Sequence, residues 1–183
     1  MAQQRSADPL APALHTDGPH PDLAGELALF GRFVGSWRLD WHGSDRQAVG
    51  ELHVGWVLGG RAVQDTWIVP GPGEPGHGVA PLAFHGTTIR FPDPVLGAWR
   101  STWVEPVNGR VRRFVGRPTG WGIELLSDED DPQLRWTFSE ITADFFTWIG
   151  SLSTDGGESW QEEERMYATR VRGPAVTGAP PIR

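Results

Sequence analysis

The chain of 183 residues contains no cysteine and no lysine, and its 16 basic residues are all arginines. The lack of cysteine excludes disulfides, thiolate nucleophiles and cysteine-ligated metals. The lack of lysine excludes Schiff-base catalysis and a Walker-type phosphate loop. No apolar run approaches the roughly 18 residues that span a membrane, and a net charge of −7 argues against general affinity for nucleic acid. We therefore expect neither a membrane nor a nucleic acid as a partner.

Several motifs of catalytic and cofactor sites are also missing. The six histidines are scattered and form no His-Glu-x-x-His arrangement, so no metal site is expected. No Gly-x-Ser-x-Gly elbow occurs, which weighs against an α/β-hydrolase. The glycines between Gly55 and Gly60 precede no helix, so they do not form a dinucleotide fingerprint. We expect a protein that works without a cofactor.

Tryptophan, in contrast, is abundant, with ten copies in the chain. Large apolar residues alternate along short segments, as Trp37, Leu39 and Trp41 do, and this spacing is typical of half-buried antiparallel strands. Because the indole is bulky, many inward-facing tryptophans predict an interior lined with aromatic surface. Such an interior is typical of a barrel or sandwich with an apolar pocket.

The hydrophobic pattern predicts one short helix followed by an all-β antiparallel meander. The helix covers 23–33, is capped by Asp22 and is expected to close one end of the sheet. Gly59 and Gly60 predict a two-residue hairpin. Closure into a barrel is favoured over an open sandwich because it removes exposed strand edges. The ten predicted strands are 36–42, 50–58, 61–69, 84–91, 98–105, 110–117, 121–126, 134–139, 145–153 and 160–171.

The composition predicts a single β-barrel domain over 22–172. Residues 1–21 are polar and rich in proline and alanine, and are expected to form a disordered leader. The tail 173–183 is expected to be flexible. The leader lacks the charged-then-apolar order of a secretory signal, so we expect a cytoplasmic protein. A homodimer is compatible with the sequence.

The segment from Ser153 to Trp160 matches the Asp-box pattern Ser-x-Asp-x-Gly-x-Ser-Trp. We interpret it as a structural turn in which Asp155 accepts hydrogen bonds from backbone amides and Trp160 packs beneath. The pattern occurs once, and the chain is too short for a propeller of ordinary blades, so a glycosidase is disfavoured.

Charged residues on the inner faces of strands are the candidate catalytic groups. Asp65 alternates with Val63 and Trp67, and Glu164 alternates with Met166. A buried carboxylate with a raised pKa could act as a proton shuttle, and an arginine could bind a ligand carboxylate or enolate. The alternative is that these charges form scaffold ion pairs or lie at strand ends. The candidate catalytic residues are Asp65 and Glu164.

The candidate ligand-binding residues are the inward aromatic side chains with one arginine and one histidine. His85 shares the alternation of Ile89 and Phe91 and is expected to face inward, although a structural role is the alternative for it. The ligand-binding set is Trp37, Trp41, Arg61, Trp67, His85, Trp103, Trp136 and Trp148.

The segment Gly35-Ser36-Trp37, which follows the predicted helix, resembles the opening of lipocalin and calycin barrels, including nitrobindin-like proteins. Together with 56–61 and 153–170, it makes the chain from 23 to 171 similar to a bacterial β-barrel family of the DUF1579 type. The resemblance implies a calycin-like barrel around a small apolar ligand and supplies no catalytic residues. Nitrobindins hold haem through a histidine near the C-terminal end. This chain has no histidine after His85, so the resemblance does not imply haem.

Three functions are compatible with these features. The first is binding of a small, largely apolar organic molecule, such as a polyketide, a terpenoid or a lipid-like metabolite, in an aromatic-lined cavity. The second is a cofactor-free cyclase, isomerase or hydratase that uses an inward carboxylate and an arginine. The third is a structural or interaction domain whose tryptophans serve only as core. An open interior would favour the first two, and a filled interior the third.

Overall fold

The computed structural model describes residues 9–79, 83–128 and 132–172. The helices are α1 (Leu10–Leu14) and α2 (Ala24–Gly31), with a 3-10 turn at Pro21–Leu23 between them. The strands are β1 (His15–Thr16), β2 (Gly35–His42), β3 (Gln47–Val57), β4 (Ala62–Val69), β5 (Phe84–Asp93), β6 (Ala98–Glu105), β7 (Arg110–Pro118), β8 (Gly122–Ser127), β9 (Gln133–Ser139), β10 (Phe145–Ser153) and β11 (Gln161–Arg170).

Strands β2 to β11 form one closed antiparallel barrel. Each strand pairs with the next along the chain, and β11 returns to pair with β2, so that Met166 lies opposite Trp41. Closure leaves none of these ten strands as a free edge. The predicted all-β meander and its closure into a barrel are confirmed, and each predicted strand coincides with an observed one to within a few residues.

The connection between β3 and β4 differs from the predicted two-residue hairpin. Four residues, from Leu58 to Arg61, join the strands, and Leu58, Gly59 and Gly60 all have positive φ angles of 55°, 66° and 73°. The positive φ angles expected of the paired glycines are observed, and the N–H of Arg61 donates to the carbonyl of Leu58 across them, but the ladder ends at Val57 and Ala62, so the loop has four residues instead of two.

The N-terminal segment has regular structure where it is described. After α1, His15 and Thr16 pair with Val57 and Trp56 of β3. Residues 1–8 and 173–183 lie outside the described residues, so the predicted leader and tail boundaries stay predictions. The predicted cap is wrong: Asp22 lies inside the 3-10 turn, and α2 begins after Leu23 without a side-chain cap.

Helix α2 closes one end of the barrel, as predicted. Leu27 and Phe30 are buried, and the ring of Phe30 packs against Trp99 and Phe138 at centroid distances of 4.8 and 5.9 Å. This half of the interior is therefore filled with side chains, whereas the half farthest from α2 is open. None of the helices in the described ranges is long and apolar enough to cross a bilayer. The cytoplasmic location stays a prediction.

Candidate functional site

The open half of the barrel encloses a cavity of about 470 Å³. Its mouth lies at the end opposite α2, where the β2–β3 loop contributes Arg46 and the β6–β7 turn contributes Asn108. Small-molecule sites in proteins commonly occupy roughly 300 to 1,000 Å³. The cavity is therefore large enough for an organic molecule of several rings.

Six aromatic side chains form a continuous band around the cavity, which we call the aromatic belt. Neighbouring ring centroids along the belt are separated by 6.2, 6.3, 6.0, 5.4 and 5.7 Å. Several of the ring pairs meet edge to face, the arrangement that aromatic quadrupoles favour, so the rings hold one another in place. In order, the belt consists of Trp41, Phe84, Trp103, Trp136, Trp148 and Trp67.

Glycines in the wall make room for the indoles of the belt. A Cβ at Gly86 of β5 would collide with the outer ring atoms of Trp103 on the neighbouring strand. At Gly43, a Cβ would come within 2.8 Å of Cη2 of Trp41. Because these indoles occupy the space above glycines, the wall accommodates large rings while the centre of the cavity stays open.

Glu164 is a half-buried carboxylate on the cavity wall near the mouth, where the exposed carboxylates of Glu163 and Asp45 also lie. Its Oε2 accepts a hydrogen bond of 2.7 Å from Nε1 of Trp41. Desolvation raises the pKa of Glu164, with Glu163 adding repulsion, while the hydrogen bond from Trp41 opposes the shift. A half-buried carboxyl of this kind can hold a proton or act as counter-ion to a ligand.

Glu105 also lies on the cavity wall, but its carboxylate oxygens accept hydrogen bonds from the protein itself. Its Oε1 accepts from the backbone N–H of Val107 at 2.7 Å, and its Oε2 accepts from Nδ2 of Asn108 at 3.0 Å. The residue is fully buried. Its acceptors close the β6–β7 turn at the rim, so Glu105 shapes the mouth instead of facing a ligand.

The cavity brings six of the sequence-predicted site residues together and leaves four outside its wall. Whether the six bind or react with a ligand stays a prediction. Those that line the cavity are Trp41, Trp67, Trp103, Trp136, Trp148 and Glu164. Those that do not are Trp37, Asp65, Arg61 and His85.

Asp65 lies in the closed half and forms a buried ion pair with Arg90. Its Oδ1 also accepts a hydrogen bond of 2.9 Å from the backbone N–H of Thr88. The void beside this pair measures about 10 Å³, roughly the space of one water molecule. Trp67 borders both this void and the cavity, whereas Asp65 borders the void alone. The scaffold ion pair, the alternative weighed for Asp65, is the arrangement observed.

Trp37 faces the interior, as its alternation predicts, but it belongs to the closed half. The guanidinium of Arg170 stacks on its ring at 4.0 Å, and its Nε1 donates to the carbonyl of Phe33 at 2.7 Å. Arg170 in turn donates to the carbonyls of Arg32 and Val34. These contacts tie the end of α2 to β2 and β11, so Trp37 serves the fold.

The predicted cavity positions of Arg61 and His85 are wrong. Arg61 lies in the exposed β3–β4 turn, where Nη2 is 2.9 Å from Nε2 of His20. His85 is exposed on the outer wall, because the inward residues of β5 are its neighbours Phe84 and Gly86.

Phe84 is the belt residue that sequence reasoning missed. Phe84 is the first residue of its strand, where alternation gives little guidance. The prediction that His85 faces inward assigns the inner and outer faces of this strand the wrong way round. The rim residues Arg46, Arg110 and Arg112 were missed as well, because loops and strand ends carry no periodic signal. A large aromatic residue one position before the histidine was the signal that favours the observed orientation.

The geometry can be compared with known proteins. No protein-family model matches the sequence, and no curated protein sequence matches it. Among solved structures, the S-type phycobiliprotein lyase CPES from Guillardia theta is similar, with a TM-score of 0.50 and 13% identity over 80% of this chain and 93% of that one. The chain folds as a calycin-like barrel. At this identity the likeness shows the fold alone, so membership of the DUF1579-type family stays a prediction.

Proposed function

We propose that this protein binds a small, largely apolar organic molecule in the open half of its barrel. The observation that carries the proposal is the cavity of about 470 Å³ walled by the aromatic belt. Aromatic walls supply shape and stacking, and a few polar groups at the rim orient the ligand. Polyketide-, terpenoid- and lipid-like molecules fit this description. The similar barrel of the phycobiliprotein lyase supports the proposal as an analogy of fold.

The test is a titration of the full chain with Nile red, an uncharged dye whose emission rises in apolar surroundings. We expect saturable binding, and we expect Trp136→Leu to weaken it because this indole lines the cavity and touches two neighbours of the belt. The control is Trp121→Leu, since Trp121 is 54% exposed and lies outside the cavity wall. Unsaturable emission, or equal affinity in both variants, would refute the proposal.

A second candidate function is a cofactor-free isomerase, cyclase or hydratase in the same cavity. Glu164 favours it, because a carboxyl with a raised pKa on the wall of an apolar site is suited to general acid–base catalysis. In that case Glu164→Gln would abolish turnover of a bound substrate while Nile red still binds. An inert interaction domain is less well supported, because the tryptophans of the belt surround open space.

A further inference from the structure

The charges around the cavity narrow the class of ligand. We propose that the bound molecule is an organic cation, an aromatic or polycyclic amine or quaternary ammonium, whose positive charge lies between Glu164 and the aromatic belt. This inference rests on the proposed function, since it names the ligand class of the same site.

The first argument comes from the belt itself. The face of an indole carries negative potential, and tryptophan attracts cations more strongly than the other aromatic residues do. Trp41 already contacts a cation, because the guanidinium carbon of Arg46 lies 5.5 Å from the centroid of its ring. An indole of the belt whose face borders the cavity therefore favours a positively charged guest over a neutral one of the same shape.

The second argument is the position of Glu164. A carboxylate offers about four lone-pair directions, and the described hydrogen bond from Trp41 occupies one of them, at Oε2. The other acceptor positions can receive a ligand N–H or balance a quaternary charge. Because the site is partly shielded from water, a charge pair there is stronger than one on the outer surface. Glu105 cannot take this role, since its oxygens bind the β6–β7 turn.

The arginines at the rim would favour an anionic ligand, but this argument is weaker than the two arguments for a cation. The guanidinium of Arg46 already lies over the ring of Trp41, and Arg112 already has interaction partners within the protein. Arg110 is exposed, so salt screens its charge. The net charge of −7 also gives the molecule a field that draws cations. The balance therefore favours a cationic ligand.

The test compares three probes that share one ring system: N-methylacridinium, acridine and an acridine carboxylate. Calorimetric titration at low ionic strength, at a pH where acridine is uncharged, gives each affinity for the full chain. We expect the cation to bind about tenfold more tightly than acridine, and Glu164→Gln to remove this preference. The control is Glu162→Gln, which removes a charge from the same strand where Glu162 pairs with Arg165 at 2.7 Å outside the cavity.

Each outcome decides the matter. Equal affinities of cation and acridine, tighter binding of the carboxylate, or a preference that survives Glu164→Gln would overturn this inference and leave the proposed function standing. Failure of all three probes while Nile red binds would overturn it too. Failure of all four molecules would remove the proposed function itself. A cation preference lost in Glu164→Gln and kept in Glu162→Gln supports the assignment.

Discussion

Gly150 lies directly beneath the indole of Trp148, so that a Cβ at this glycine would come within 2.8 Å of Cη2 of the ring. The same Cβ would lie 3.2 Å from Cγ of Glu164. Both neighbours are side-chain atoms, and both side chains line the cavity. A single methyl group at position 150 therefore tests whether the room above the glycine sets the width of the site.

Gly150→Ala is expected to push Trp148 and Glu164 toward the centre of the cavity. Overpacking of this kind costs the fold roughly 1 to 3 kcal/mol. Because the displaced side chains narrow the cavity, we also expect the affinity for Nile red to fall by about tenfold, which corresponds to about 1.4 kcal/mol of lost contact with the dye. Gly55→Ala is the matched control, because nothing lies within 4 Å of a Cβ there. Equal affinities of the two variants, measured by dye titration, would show that the glycine does not limit the site.

Asp65→Asn is expected to lower the free energy of unfolding and to leave the affinity for Nile red unchanged. The substitution leaves the buried guanidinium of Arg90 without its counter-charge, a change that costs about 3 to 5 kcal/mol. Urea denaturation gives the free energy of unfolding. Glu162→Gln breaks an exposed pair and should cost at most about 1 kcal/mol. A loss of Nile red affinity in folded Asp65→Asn would contradict the assignment of Asp65 to the closed half.

As the pH rises, the unfolding free energy of Glu164→Gln is expected to increase relative to that of the natural chain. Burial raises the pKa of Glu164 above its ordinary value of 4.5, so the unfolded chain releases this proton first and the natural protein loses stability as the pH climbs through the raised pKa. Glutamine has no such titration, and its amide oxygen can still accept from Trp41.

The measurement is the difference in unfolding free energy between the two proteins, followed from acid to neutral pH. Groups that titrate alike in the two proteins contribute equally to both free energies, so their contributions cancel in the difference. Glu163, Arg110 and Arg46 also act on the carboxyl, so the experiment is done at one ionic strength. A difference that stays constant with pH would show that burial does not shift this group.

The sequence predicts the barrel well because alternation and turn residues are local signals. Trp37, Leu39 and Trp41 face inward as their spacing requires, and the Asp-box forms the predicted turn, with Asp155 accepting from the N–H and hydroxyl of Ser159. The hydrogen bond from the hydroxyl of Ser153, together with those from Ser159, lowers the pKa of Asp155.

The orientation of β5 could not be predicted in the same way, because its inward residues are determined by neighbouring strands. Gly86 faces inward to give Trp103 room, and Arg90 faces inward to pair with Asp65. Both partners lie far away in sequence. Hydrophobicity alone favours Ile89 and Phe91 as inward residues, and this alternation places His85 in the cavity and Arg90 on the outer wall, away from Asp65.

A β-bulge explains the remaining difference on β11. Gly150 lies opposite Glu164 and Ser151 opposite Glu162, so Glu163 is an extra residue that interrupts the alternation. Glu162, which would share a face with Glu164 in a regular strand, pairs with Arg165 outside the cavity wall. A bulge leaves no signal in hydrophobic spacing, and this one places Glu163 on the cavity wall in place of Glu162.

Arg170→Lys is expected to destabilise the closed end of the barrel although it keeps the charge. The arginine donates to three backbone carbonyls and stacks on Trp37, and lysine cannot reproduce a planar fork. We expect a loss of about 2 to 4 kcal/mol in unfolding free energy, from the lost hydrogen bonds and the stacking contact. Arg172→Lys, at an exposed ion pair with Asp144, is the control. Equal stability of the two variants in urea would show that a positive charge suffices at this position, and that the planar guanidinium does not hold α2 against the barrel.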